Sequence, residues 1–311
     1  MDRSPSTLIA STPSAALAPP SHWQVWWLAL RPKTLTVAAA PVLAACALVW
    51  GQQGRLRWLS ALVALLAALL IQIGTNLLND VGDFERGTDT PDRLGPPRAT
   101  AMGWLTARQV KRAGFLALGG AFVLGIYLVV VGGWPIVWLG IASLICGWAY
   151  TGGPKPIAYG PFGEVFVWLF FGLGAVLGTY YLQTDGLSGA AWLMAHMLGL
   201  LAAAVIVVNN TRDREGDARA GKLTLAVRLG MRGCRVEYGL LLLAPFALLW
   251  PLNEALQHGW RGGLPLLLLP WALALIVRFV RQTPGPGYNL LLGDTARFQL
   301  IFSLLLAGAS L

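Results

Sequence analysis

Charge is the first thing this chain is short of. Asp, Glu, Lys and Arg make up 12% of its 311 residues, half the share, roughly 25%, of a soluble globular protein. With 56% of the residues hydrophobic, most of the surface is built for a solvent other than water. Cysteine is nearly absent. Cys46, Cys146 and Cys234 are odd in number, far apart and in no C-x-x-C pattern, so they read as small buried apolar residues rather than a disulfide framework. His22, His196 and His258 are equally scattered, and no zinc spacing exists. A continuous apolar leader is also missing. Residues 1–21 are rich in Ser, Pro and Ala, with Pro5, Pro13, Pro19 and Pro20 interrupting them, whereas a signal peptide needs a basic start and an unbroken apolar stretch. The expectation is a disordered cytoplasmic tail over 1–21 and one transmembrane domain over 22–311.

What the chain has in abundance is apolar sequence. A hydrocarbon core about 30 Å thick takes about 20 apolar residues per helix. Nine apolar runs can be drawn, near 34–50, 58–79, 112–132, 134–150, 163–182, 190–209, 236–252, 263–280 and 289–311. Trp26, Trp27, Trp50, Trp58, Trp134, Trp250 and Trp260 stand at run ends, as interfacial aromatics do. The expected fold is an all-α membrane protein with nine transmembrane helices. With the N-terminus in the cytoplasm, only Arg55, Arg57 and Arg261 of the 23 Lys and Arg fall outside. That asymmetry supports both the span count and the orientation. The net charge of +9 then marks cytoplasmic loops and anionic lipid headgroups, not nucleic acid.

Acid is distributed still less evenly. Asp80, Asp83, Glu85, Asp89, Asp92, Asp213, Glu215 and Asp217 are eight of the fourteen acidic residues. They fall in two short segments, after the second and the sixth apolar run. Asn76, Asp80 and Asp83 are spaced by four and three residues, and Asn209, Asp213 and Asp217 by four and four. Either spacing puts a set on one helix face. The echo suggests an internally duplicated bundle with a site between its halves. Carboxylates packed this way repel one another unless a cation lies between them. Mg²⁺ suits such a site, because it binds through one or two carboxylates, waters and substrate phosphates. Two facing clusters would clamp a diphosphate and favour its departure.

At these residues the sequence resembles the UbiA-type family of intramembrane prenyltransferases, and within it the branch acting on 1,4-dihydroxy-2-naphthoate in menaquinone biosynthesis. Four stretches from Trp27 onward carry the resemblance. They are Leu30 to Leu35, with Arg31-Pro32-Lys33-Thr34; Asn76 to Asp83, continuing through Gly87, Asp89, Arg93, Gly95, Pro96 and Arg98; Tyr150-Thr151-Gly152-Gly153-Pro154-Lys155-Pro156 with Gly163-Glu164; and Asn209-Asn210 to Asp217, followed by Gly221 to Gly230. The resemblance implies nine helices around a central cavity, open sideways to lipid, and Mg²⁺-dependent attack of an aromatic ring on an allylic diphosphate. It implies metal at Asp80, Asp83, Asp213 and Asp217, supported by Asn76, Asn79 and Asn209. Many superfamily members carry a further Asp four residues after the position of Asp83. Here that place is Gly87 and the next carboxylate is Asp89, a shift the naphthoate branch shares.

The substrates expected are an isoprenyl diphosphate and an aromatic acceptor, with membrane lipids as surroundings and no nucleic acid or obligate protein partner. Arg31, Lys33, Lys155, Arg212, Lys222 and Arg228 are candidate contacts for substrate charge or for ordering the loops. Tyr150 is the candidate aromatic face beside an allylic cation, with Trp148 and Phe170 behind it. Single Ala substitutions at the four Asp positions are expected to abolish turnover with little loss of folded protein. Two other readings stand beside this one. A sister enzyme would use hydroxybenzoate, homogentisate or a tetrapyrrole as acceptor. A Mg²⁺ or organic-ion transporter would place its carboxylates near the bilayer midplane, whereas here they cluster at helix ends. The Asp-Gly-x-x-Ala-Arg signature of CDP-alcohol phosphotransferases is absent.

Overall fold

The computed structural model of the protein describes residues 20–89, 93–257 and 259–311. The expected tail, apart from Pro20 and Ser21, lies outside the described residues, as do Asp92 and His258. Among the described residues the secondary structure is helical. Eight helices are long and apolar enough to cross a membrane, and a ninth apolar helix, α5 (Trp134–Ala149), has 16 residues. The chain is thus a multi-pass integral membrane protein, in agreement with the nine apolar runs.

A short helix that hydrophobic runs alone do not announce precedes the first span. α1 (His22–Leu30) opens on Ser21, whose side chain accepts from the Gln24 amide while the Gln24 side chain accepts from the Ser21 amide, a reciprocal cap that fixes a helix start. Arg31 then turns the chain with φ 53°, and Pro32 begins α2 (Pro32–Gln53). Proline suits that first position because its missing N–H has no helical partner there. α1 buries Val25 and Ala29 against Leu77 and Val81 of α3 (Trp58–Glu85), with Ala99, Leu105 and Val110 completing the cluster.

α4 (Ala107–Gly132) packs along α3, and α5 returns beside both. The fifth apolar run is one continuous pass in three parts: α6 (Gly163–Val167), a π-helical segment Trp168–Leu177, and α7 (Gly178–Thr184). α8 (Gly189–Arg219) runs through the centre. It touches the π-helical segment, α9 (Leu225–Leu256) and α11 (Tyr288–Ala309), and Met194, Met197, Leu198 and Leu201 on it are almost fully buried. α10 (Leu269–Arg281), entered through a 3₁₀ segment, Gly259–Leu268, completes the bundle. The outward surface is apolar: Leu116, Val130, Trp134, Trp250 and Trp260 are all more than 70% exposed, the arrangement expected of side chains that face lipid.

Candidate active site

α3 and α8 do not stop where their apolar runs stop. α3 continues to Glu85 and α8 to Arg219, so both Asn–Asp–Asp sets ride on the last turns of long helices. Asp83 is 3% exposed and heavily engaged. One of its oxygens accepts from Arg98 Nη2 at 2.5 Å; the other accepts from Lys222 Nζ at 2.8 Å and the Tyr159 hydroxyl at 2.9 Å. Lys222 Nζ is also 4.0 Å from Asp217. This ammonium therefore joins the two acidic helix ends, which the sequence places far apart. Burial and the neighbouring Asp83 push the Tyr159 phenol well above its ordinary range, so it stays a proton donor to the carboxylate.

Asp80, 2% exposed, accepts from the backbone amides of Ala99 and Thr100 at 3.1 and 3.2 Å. It pins the segment after the first acidic motif onto α3. Asn76 donates to the Leu30 carbonyl and the Thr34 hydroxyl at 3.0 and 2.8 Å, tying α3 to the α1–α2 junction. Asn79 accepts from the Thr151 hydroxyl at 2.6 Å. These two asparagines thus fasten the end of α3 to the α1–α2 junction and to the segment after α5.

Gly87 has a structural reason. It sits at φ 67° just past the end of α3, a conformation that glycine adopts without steric penalty. The chain reverses there, and the Thr88 amide donates back to the Asp83 carbonyl at 3.0 Å. Asp89 thereby folds against Arg93 at 2.8 Å and Arg98 at 3.1 Å, with its side chain 2% exposed. Its second oxygen is buried without a partner among the described residues. Burial pushes the Asp89 carboxyl up, against the pull of Arg98 and Arg93.

On α8, Asp213 accepts from Arg212 through both oxygens, at 2.8 and 2.6 Å. Arg212 also reaches Asn209 at 2.9 Å and Asn289 of α11 at 2.6 Å, and Asn289 donates on to the Leu94 carbonyl. Gly95 lies where a Cβ would stand 2.9 Å from both the Arg212 and the Arg93 guanidinium, so two cations meet across that glycine. Arg31 faces the same cluster. Burial and the guanidiniums of Arg98 and Arg93 push it down to about 9, and no carboxylate pairs with it among the described residues. Asp80 and Asp83 offset part of that repulsion.

An apolar cavity of about 450 Å³ lies below this polar layer. Gln72, Thr75 and Tyr150 line its polar end, and Ile136 and Leu182 its far end. Gln72 links cavity and cluster through its bonds to Asn76 and Thr34. From Tyr150 to Ile136, 14 residues at 1.5 Å each span about 21 Å, most of a hydrocarbon core.

The sequence-expected residues divide accordingly. Asp80, Asp83, Asp213, Asp217, Asn76, Asn79, Asn209, Arg31, Arg212 and Lys222 lie in one polar layer, and Tyr150 and Phe170 line the cavity under it. Lys33, Lys155 and Arg228 are exposed, and Arg228 donates to the Leu223 carbonyl at 3.2 Å, a loop-ordering contact. Trp148 packs over Gly152 and Gly153 rather than lining the cavity. Sequence reasoning did not single out Tyr159, Asn289 or Thr88 as functional, and none of them carries a motif. Glu164, buried and accepting from Asn210 at 2.7 Å, did stand in one of the four family-like stretches but with no role.

Among the described residues no three Asp, Glu, His or Cys side chains form a ready-made metal cage. Mg²⁺ asks for less, because substrate phosphates and waters complete its octahedron. The donor set here is all hard oxygen, and the orphaned Asp89 oxygen is one the fold leaves available.

The profile of the UbiA prenyltransferase family matches residues 38–288. The chain is 37% identical over 293 residues to the 1,4-dihydroxy-2-naphthoate octaprenyltransferase of Escherichia coli, covering 92% of this chain and 94% of that one. It is 36% identical over 295 residues to the enzyme of the same name from Mycobacterium tuberculosis, covering 91% and 96%. Among solved structures, a UbiA homolog from Archaeoglobus fulgidus bound to DMAPP and Mg²⁺ superposes with a TM-score of 0.67 at 15% identity, over 91% of this chain and 98% of that one. That likeness speaks for the fold.

Proposed function

The chain belongs to the UbiA prenyltransferase family, and from that premise we propose that it transfers a polyprenyl group from an isoprenyl diphosphate to 1,4-dihydroxy-2-naphthoate. The observation that carries this reading is the meeting of two acidic helix ends, joined by Lys222, over an apolar cavity. A prenyl diphosphate has that same division, with a charged head and a long apolar tail. The curated relatives named above support the choice of acceptor.

In this mechanism the diphosphate sits in the polar layer. Arg31, Arg98 and Lys222 donate to its oxygens, each a charge-assisted bond. Asp80, Asp83, Asp213 and Asp217 would hold Mg²⁺, and the unpartnered Asp89 oxygen would be a further ligand. When bound, Mg²⁺ supplies neutralisation of the charge growing on the leaving diphosphate. The allylic C–O bond breaks and its electron pair leaves with the diphosphate. Tyr150 presents its ring at the top of the cavity, where it shields the allylic carbon from water and stabilises its positive charge. The ring carbon bearing the carboxylate attacks that carbon. CO₂ then leaves and returns its bonding electrons to the ring, giving the reduced form of demethylmenaquinone.

The positive-inside asymmetry supports a bacterial inner-membrane protein with its N-terminus and active site on the cytoplasmic side. That is where a soluble acceptor and diphosphate arrive. The test is purified protein with dihydroxynaphthoate, Mg²⁺ and isoprenyl diphosphates of several lengths. Diphosphate release together with a prenylated, decarboxylated product is expected. Neither product at any chain length overturns the reading, and turnover with only hydroxybenzoate or homogentisate in an acceptor panel reassigns the acceptor.

A further inference from the structure

The cavity under the acidic layer does not end at a closed wall. A second apolar recess, of about 670 Å³, adjoins it between α5, the π-helical segment and α7. Ile136, Leu139, Phe170, Gly174 and Gly178 line both spaces. At the rim of the recess Pro135 and Leu187 are exposed, so it opens at the end of the bundle away from the acidic layer.

Among the residues shared by the two, Leu139 is the one seated in a glycine notch. A Cβ on Gly174 would stand 3.2 Å from Leu139 Cδ1, and a Cβ on Gly178 2.5 Å from Leu139 Cδ2. The absence of side chains at these two positions is what admits Leu139. The wall behind them is unusual. π-helix is rare, below about 1% of residues, and concentrates at functional sites, yet here it runs for ten residues, Trp168–Leu177. Its rear is fixed, since a Cβ on Gly172 would meet the Ala195 carbonyl at 2.5 Å and Gly199 Cα at 2.7 Å. The π-helical wall therefore cannot retreat toward α8. Leu139, partly buried on α5, faces that wall from the other side with a side chain rather than backbone.

We infer that Leu139 is the residue that discriminates prenyl chain length. Short tails end in the cavity beneath Tyr150; longer tails turn Leu139 out of the Gly174–Gly178 notch and continue through the recess toward Leu187. This rests on the prenyl-transfer reading above and adds a specificity determinant to it.

The experiment compares farnesyl and octaprenyl diphosphates as substrates of the full-length protein in lipid nanodiscs, for the unmodified chain, Leu139→Ala and Leu139→Phe. Discrimination by a few methylene groups in an apolar pocket is worth about tenfold or more. Leu139→Phe should lower the octaprenyl-to-farnesyl ratio of kcat/KM by about that factor, and Leu139→Ala should raise it. A ratio unmoved in both variants overturns the inference. A second measurement needs no variant: an octaprenyl diphosphate with a photoreactive terminal unit should label Leu173, Leu177 or Tyr181. Labelling confined to Phe122 and Ile126 of α4, the other side of the first cavity, overturns it as well. Failure of the unmodified chain to turn over either diphosphate would instead sink the prenyl-transfer reading, while the labelling still reports the path of the tail.

Discussion

Asp83 and Asp217 carry the same carboxylate in opposite settings. Asp83 is buried and holds Arg98, Lys222 and Tyr159. Asp217 is 15% exposed at its side chain, with the Lys222 ammonium 4.0 Å away. The uniform expectation that each Asp→Ala variant keeps its fold is therefore refined by burial. Asp83→Ala would take the nearest carboxylate from two buried cations, at a cost of up to about 3–5 kcal/mol, and should lower the melting temperature of the detergent-solubilised protein as well as its turnover. Asp217→Asn should melt near the unmodified chain while losing about 100-fold or more in kcat. Equal melting of the two variants would contradict this assignment. Arg31 makes the converse case. Its folded value of about 9 lies below the ordinary 12.5, so the unfolded chain holds that proton more tightly, and its contribution to stability rises as pH climbs from about 9. At neutral pH its charge works against the fold. Arg31→Gln should raise the melting temperature, a gain of about 1 kcal/mol, and should raise KM for the diphosphate. Loss of both stability and affinity would show that Arg31 is structural.

Helices rather than single residues set the depth of the site. The sequence spacing put each Asn–Asp–Asp set on one face, and the extension of α3 and α8 by several residues past their apolar runs turned those faces into a polar layer. Gly87 ends α3 and brings Asp89 back toward Arg93 and Arg98. A position that looked like a missing carboxylate is therefore the turn that delivers another one. The π-helical segment depends on its close approach to α8. Gly172→Ala would drive a methyl into the Ala195 carbonyl and Gly199 Cα, and backbone cannot step aside as a flexible side chain can. It should destabilise the protein by about 1–3 kcal/mol, read as a lower melting temperature. Gly119→Ala on α4, with nothing within 4 Å, should be neutral or stabilising.

For the whole molecule, the membrane decides the behaviour, and under the proposed mechanism the metal does so too. The apolar exterior requires lipid or detergent. The acidic layer should bind diphosphate poorly without Mg²⁺, because its carboxylates then repel the phosphates. Treatment with EDTA should abolish turnover, and added Mg²⁺ should restore it. Turnover that survives chelation would remove the metal from the mechanism. The mass spectrum of the quinone products made in cell membranes would report acceptor and chain length together.

The sequence by itself determined the apolar runs, their membrane character and the two acidic helix ends. Each of these is a local property: the transfer free energy of a run of side chains, or a spacing of three and four residues along one helix. Only the tertiary structure decided which charges meet. Lys222 reaches Asp83 from 139 residues away; Tyr159 comes from a short loop helix and Asn289 from the first turn of α11, and neither stands in a motif; Lys155 and Arg228, equally basic on paper, remain at the surface. Neither pattern nor composition encodes the pairing of distant residues, because it follows from how whole helices pack. The notch that seats Leu139 is of the same kind, for Gly174 and Gly178 became part of a partition only when α5 was laid against them.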